Sequence, residues 1–289
     1  MKRLSFLLHA LSPLHCGTGQ GVDIVDLPIA RMRSTGIPIA PGSSLKGVLR
    51  AHASSKVQQE PEKIFAVFGP ETNHASENVG ALVVGDARLL MLPVRSFMGA
   101  FAWVTSPLLL RLAQRDFAVA EHATVPNVPA LDGRGALVAD IKAHANVQNA
   151  KVYLEDLDLA AKADLQVGAW AALLKQYMPS TEHTLLESRL VVVDDETMAF
   201  LWETATQIDA RNRIDSATGT VTIGALWYEE SLPPETILIG QLAAEKSRRA
   251  SIAMSADEVL AFAVSESQVI QVGGKSTVGR GICKIYVAR

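Results

Sequence analysis

The sequence predicts an α+β fold, a ferredoxin-like sheet packed on helices and carrying large insertions, and three observations predict it. Leu4 to Leu11 is an almost unbroken apolar run interrupted only by His9, the pattern of a central strand. Leu45, Val48 and Leu49 recur behind it at helical spacing. Val269 to Val272 and Ile282 to Val287, two apolar segments at the far end, flank a glycine-rich turn. In coarse order the chain reads strand, helix, strand, inserted material, strand, helix, strand.

Taken in order, the first strand empties into a long loop, 12–40, and long ordered loops tend to be functional. The first helix is expected from about Ser44 to Lys56, with serine as its cap. Phe65 to Asn78 is broken by Gly69-Pro70 and reads as irregular surface. Ala81 to Val94 supplies strand segments around Gly85-Asp86. Ser106-Pro107 opens a helix through Phe117, because serine accepts an orphan N–H and proline is tolerated at the first helical position. Residues 121–150 have weak periodicity and no assigned structure. Val152 to Leu159 reads as a strand or hairpin arm, and Leu165 to Met178 as an amphipathic helix ended by Pro179.

Leu190 to Val193 starts an ordered run that continues as a helix near Glu196 to Thr206. The segment 207–223 has two polar β-compatible arms around Asp215-Ser-Ala-Thr-Gly219, a good hairpin turn without a core-facing stripe. Ala225 to Glu230 and Thr236 to Ala243 read as further strands, and Ala256 to Ser265 as a helix. The whole is expected to be a single domain over 1–289 with insertions at 57–80, 111–180 and 207–223.

With 289 residues and 48% hydrophobic content, the chain can build a sizeable core. No apolar run reaches the roughly 18–20 residues of a membrane span, and Met1-Lys2-Arg3 leads into a strand without a small-residue cleavage site, so no membrane role and a cytoplasmic location are expected. Cys16 and Cys283 lack the neighbours of a zinc site and read as reduced or buried thiols.

The net charge of −3 is unlike that of a free-standing nucleic-acid binder, but its distribution is uneven. Residues 1–56 carry seven Lys/Arg against two Asp, net +5, and residues 273–289 carry four against none, net +4, leaving −12 between them. If the two ends meet, they form a basic surface to which phosphate backbones respond.

Several residues are candidates for chemistry. Ser43 and Ser44 open the first helix, and Lys46 and Arg50 share one face of it; by residue type they read as a solvated face or as an anion site. Gly273-Gly274-Lys275-Ser276 is not a Walker loop, which needs glycine where Val269 stands; with Arg280 it fits either close approach to a phosphate backbone or a tight turn with solvated charges. His15 and Cys16 do not form a dyad, because adjacent residues in an extended segment point apart. His15 by itself reads as a general acid or base, or as a loop histidine satisfied by backbone. Asp23 and Asp26 are either turn aspartates or carboxylates that hold a divalent ion or polarise a ribose hydroxyl. Glu229 and Glu230 follow Trp227-Tyr228 at a strand end, where solvated charges are common.

The wording of four stretches is particular: LHCGTGQG with VDLPIARMRSTGIPIAPGSSLKGVLR at the start, LLMLPVRSFMGAFAWVTSPLLL at 89–110, RNRIDSATGTVTIGALWYEESLPPET at 211–236, and VGGKSTVGRGIC at 272–283. Together they resemble the RAMP proteins, specifically the repeated backbone subunit of type III-B (Cmr) CRISPR effector complexes. The resemblance implies an RNA-recognition-like core, a projecting thumb hairpin and a lid-like helical insertion. It implies guide-RNA contacts at Ser43, Ser44, Lys46 and Arg50 and at Gly273, Gly274, Lys275 and Arg280. Asp26 matches the residue on which target-RNA cleavage depends, with supporting roles open to His15, Glu229 or Glu230; Asp23 has no such match. The implied reaction is 2′-hydroxyl attack on phosphorus aided by a divalent ion, Mg²⁺ or Mn²⁺, held at Asp26. Implied partners are guide and complementary target RNA, further copies in a helical filament and other Cmr-complex subunits. A purely structural scaffold and a guide-processing RAMP endonuclease are the alternatives.

Overall fold

In this computed structural model, which describes residues 1–19, 21, 25–56, 61–70, 79–120, 124–249, 251–264 and 267–288, the chain opens with β1 (Lys2–Ala10), whose last six residues are buried. Phe6, Leu8 and Ala10 pack in one hydrophobic cluster and Leu7 in another. Both faces of the strand are covered, which is why its run is apolar without alternation. Then come β2 (Ile39–Ala40), α1 (Gly42–Lys56), α2 (Pro61–Phe68), β3 (Leu82–Val84), β4 (Ala87–Ser96), β5 (Ala100–Thr105) and α3 (Pro107–Val119). The middle contains β6 (Ala136–Val138), β7 (Val147–Gln148), β8 (Lys151–Leu154), β9 (Leu157–Ala163), α4 (Leu165–Lys175), α5 (Ser180–Arg189), β10 (Leu190–Val193) and α6 (Asp195–Thr204). The last part contains β11 (Gln207–Ile214), β12 (Val221–Ser231), β13 (Ile237–Ala244), α7 (Ala256–Ala263), β14 (Ser267–Gln271) and β15 (Ile282–Val287).

The fold is mixed α/β. Strands β14, β15, β1, β13, β4, β5, β10, β6, β9, β8 and β7 are successive neighbours in one sheet, with β2 and β3 attached at β4 and β13. Its centre is antiparallel throughout, β15 to β1, β1 to β13 and β13 to β4. Helix α1 lies between β1 and β4 in the chain, α7 lies between β13 and β15, and the two helices pack on each other. The β1–β15 pairing also brings both basic ends of the chain together. No helix among the described residues is long and apolar enough to cross a membrane.

Ser106 caps α3 as expected, accepting from the Leu109 N–H with Pro107 in the first turn. Other expectations are corrected. Residues 65–68 are helical rather than irregular, the end of α2, which buries Ile64, Ala66, Val67 and Phe68 and packs on α1 and α7, a pattern hidden by its short length; 71–78 lie outside the described residues. The inserted segment 111–180 is not irregular throughout: β6 to β9 extend the main sheet, β6 pairing with β10 and β9 with β6, and α4 follows them. Ala225 to Glu230 is not a separate strand either; it is the inner half of β12.

β11 and β12 form a two-stranded ribbon apart from the main sheet. Its turn is the expected one, with Asp215 Oδ1 accepting from the Ala217 and Thr218 N–H groups and Gly219 at φ 70°. The arms are not merely polar. Register places Ile208, Ala210 opposite Tyr228, and Asn212 opposite Leu226 on one face, where Ile208, Tyr228 and Leu226 are all exposed. The opposite face pairs Asp209 with Glu229 and Arg211 with Trp227.

Candidate active site

The loop after β1 is stitched to two other segments. Leu14 bridges Leu232, and the Gly281 N–H donates to Pro13 O. The Gly274 N–H donates to His15 O at 2.9 Å. Gly273 makes that approach possible, since a Cβ there would lie 2.3 Å from His15 O and its φ is 78°. Further along, Leu27 lies parallel to the inner end of the ribbon: the Leu27 N–H donates to Tyr228 O, and the Glu230 N–H donates to Leu27 O. Asp26 is thereby set at the ribbon's edge. Its Oδ2 accepts from the Tyr228 N–H at 2.7 Å; the residue is exposed, and its other oxygen has no partner among the described residues.

Between this loop and the ribbon runs an open groove of about 500 Å³. Asp26, Lys275, Arg213, Thr222 and Trp227 are among its lining residues. Under its floor lies an ion network. Glu229, 2% exposed, accepts from Lys275 Nζ at 2.8 Å and from the Trp227 indole N–H at 2.8 Å, with Arg280 at 3.4 Å and Arg211 at 3.6 Å. Burial pushes its pKa up, but the hydrogen bonds from Lys275 and Trp227 and the charges of Lys275 and Arg280 outweigh that, and the carboxyl is held below its usual range.

Glu230 serves the loop instead, accepting from the Ile29 N–H at 3.0 Å and from Arg31 at 2.6 Å. His15 is buried, its Nδ1 2.6 Å from Glu230 O and its ring packed against Gly17 and Gly274. It does not line the groove. Of the proposed acid–base helpers, His15 and Glu230 therefore hold the Asp26 loop in place. Cys16 and Cys283 are buried, and burial raises the Cys16 thiol to about 12.

The expected phosphate contacts divide. Arg280 is not a surface cation: at 2% exposure it donates to Ser231 Oγ at 2.6 Å and pairs with Asp209, tying the base of the ribbon to the sheet. Helix α1 begins two residues before the expected serine, at Gly42, whose N–H donates to Asp86 Oδ1 at 2.7 Å, so a carboxylate takes the serine's expected place. Ser43 and Ser44 remain exposed in the first turn. Lys46 is half-buried and donates to Leu82 O at 3.0 Å; burial and then Arg50 lower its pKa. Arg50 donates to Gly69 O at 2.8 Å, just past the end of α2. Lys275 lines the groove, and Gly273 and Gly274 before it lie against His15. Asp23 lies outside the described residues.

Among the described residues no three His, Cys, Asp or Glu side chains are grouped to hold a metal ion. Among the described residues the groove offers one carboxylate, Asp26, beside the cations Lys275 and Arg213. These described donors do not fit an ion held by side chains alone; they fit one whose remaining ligands are waters or a bound phosphate, as is usual for Mg²⁺. Arg213 and Arg31 are not among the sequence candidates, because an arginine in a hairpin arm or a loop carries no signal of what it faces.

Comparison with known proteins matches residues 7–284 to the RAMP superfamily. The chain is 36% identical over 292 residues to the CRISPR system Cmr endoribonuclease Cmr4 of Pyrococcus furiosus, covering 99% of this chain and 95% of that protein. It is 23% identical over 301 residues to the CRISPR system CMR subunit Cmr4 of Saccharolobus solfataricus, covering 97% and 94%. Among solved structures it superposes on oligomeric Cmr4 from Pyrococcus furiosus with a TM-score of 0.76 at 26% identity, covering 100% and 98% of the two chains. A type III-B Cmr-beta complex bound to cognate target RNA contains a chain of the same fold, with a TM-score of 0.78 at 21% identity and the same coverage. The chain belongs to the RAMP superfamily and, within it, to the Cmr4 family.

Proposed function

We propose that this chain is the repeated backbone subunit of a type III-B CRISPR effector complex, binding guide RNA as a cytoplasmic filament and cutting complementary target RNA once per subunit. The relative at 36% identity is named an endoribonuclease, and a solved relative is oligomeric. The central strand order β15-β1-β13-β4, with α1 and α7 as its two crossing helices, supports a ferredoxin-like core. The ribbon's separation from the sheet and its exposed apolar face support its role as a thumb between bases.

The observation that carries the nuclease reading is Asp26, an exposed carboxylate held by Tyr228 N–H in a groove lined by two cations. A phosphate drawn in by Lys275 and Arg213 comes to lie beside the Asp26 oxygen that Tyr228 does not hold. There Asp26 accepts the proton of the neighbouring 2′-hydroxyl. Asp26 is the residue that would hold a divalent ion, Mg²⁺ or Mn²⁺, which would supply charge neutralisation at the phosphoryl group. The test is Asp26→Asn in the guide-loaded complex. Assembly and target binding stay as in wild type, because the amide keeps an oxygen for Tyr228, while single-turnover cleavage slows at least ~100-fold. Full-rate cutting would leave the chain a scaffold.

A further inference from the structure

Cleavage by a neighbouring 2′-hydroxyl moves two protons, one away from the attacking oxygen and one onto the departing 5′-oxygen. Asp26 takes the first. Among the other described side chains of the groove, Arg213 does not release a proton, Thr222 is a very weak acid, and the Trp227 indole N–H is engaged by Glu229. Lys275 is left.

Its placement suits the task. The residue is non-glycine yet left-handed, at φ 66° and ψ 29°, and strained backbone of that kind persists where its surroundings enforce it. They do so here. The preceding residue, Gly274, is bound to His15 O, and Lys275 O accepts from the Arg280 N–H at 3.3 Å. The side chain is 35% exposed, so its ammonium bridges buried Glu229 and the groove. Nor is Lys275 needed to balance the buried charge: Arg280 and Arg211 stand with the carboxylates Asp209 and Glu229, and Lys275 is the third cation against two anions. The surplus lies on the groove side.

We infer that Lys275 is the general acid of the site, protonating the 5′-oxygen as it leaves, and that Glu229 is the residue that positions its ammonium. The inference rests on the endoribonuclease reading above. The 2′-oxygen lone pair forms the new P–O bond while its proton passes to Asp26. The P–O5′ bond breaks with its electron pair on the 5′-oxygen, which takes a proton from Lys275. The products are a 2′,3′-cyclic phosphate and a 5′-hydroxyl. Asp26 then gives its proton to water and the Lys275 amine regains one.

Single-turnover cleavage by the guide-loaded complex tests it on two targets, one natural and one with sulfur replacing the 5′-bridging oxygen at the cut site. A thiolate leaves without being protonated. Lys275→Ala and Lys275→Arg therefore slow the natural target ~100-fold or more beyond any slowing of the sulfur target, and Lys275→Arg, which keeps the charge that draws in the phosphate, cuts the sulfur target within a few-fold of wild type. The arginine variant keeps the charge and covers the case in which the alanine variant does not fold. Glu229→Gln shows a smaller loss, again confined to the natural target. Equal slowing of both targets by the Lys275 variants, or full-rate cutting of the natural one, overturns the assignment. Asp26→Asn slows both targets, since attack still needs a base; its cutting both at full rate would overturn the endoribonuclease reading and not the role of Lys275 alone.

Discussion

Arg280→Met separates two accounts of the basic C-terminal loop. If Arg280 met RNA phosphate, its loss would weaken binding at all sequences and reduce the slope of log K against log salt by about one counterion. The structure has it 2% exposed, hydrogen-bonded to Ser231 and paired with Asp209 and Glu229. Methionine fills much of the space but leaves Glu229, 3% exposed at its side chain, without its most buried cation. Removing one member of a buried pair typically costs about 3–5 kcal/mol. Lys275 and Arg211 stay near Glu229, and Asp209 is 30% exposed at its side chain, so the lower end, about 3 kcal/mol, applies. For a chain of 289 residues that lowers Tm by roughly 5 °C. Differential scanning calorimetry of the isolated chain reads the Tm, and filter binding at several salt concentrations reads the slope. An unchanged Tm with a slope reduced by one would refute the internal role.

Three further outcomes follow from the same geometry. Gly273→Ala meets His15 O at 2.3 Å in a left-handed backbone, so it destabilises by at least ~2 kcal/mol in urea titration and slows target cleavage through the displaced Lys275. Glu229 has a depressed pKa in the folded chain, so its contribution to stability is present above the ordinary glutamate range and is lost as pH falls through the lower folded value. Urea midpoints followed from pH 7 to pH 3 therefore decline at the acid end, and Glu229→Gln loses that part of the decline. Ile208→Ser with Leu226→Ser, on the exposed ribbon face, changes stability by less than about 0.5 kcal/mol per site but shifts or blurs the target-cleavage ladder; an unaltered ladder would make that face ornament.

The sequence by itself determined the parts of this protein whose physics is local. The unalternating run of β1, the Ser106-Pro107 start of α3 and the Asp215 to Gly219 turn are each written in a few neighbouring residues, and each is present where it was read. Resemblance of four stretches likewise identified the family. The partners of the charged side chains were decided only by tertiary structure. Arg280 meets Asp209, 71 positions away, and Asp26 meets Tyr228, 202 positions away, only because β15 lies beside β1 and the ribbon base folds against the first loop. A cation in a sequence carries its charge but not its exposure. Lys275 and Arg280, five residues apart on one glycine-rich loop, look alike as text. Yet one is turned to an open groove and the other is sealed beneath it, because desolvation and pairing depend on elements that arrive from the far end of the chain.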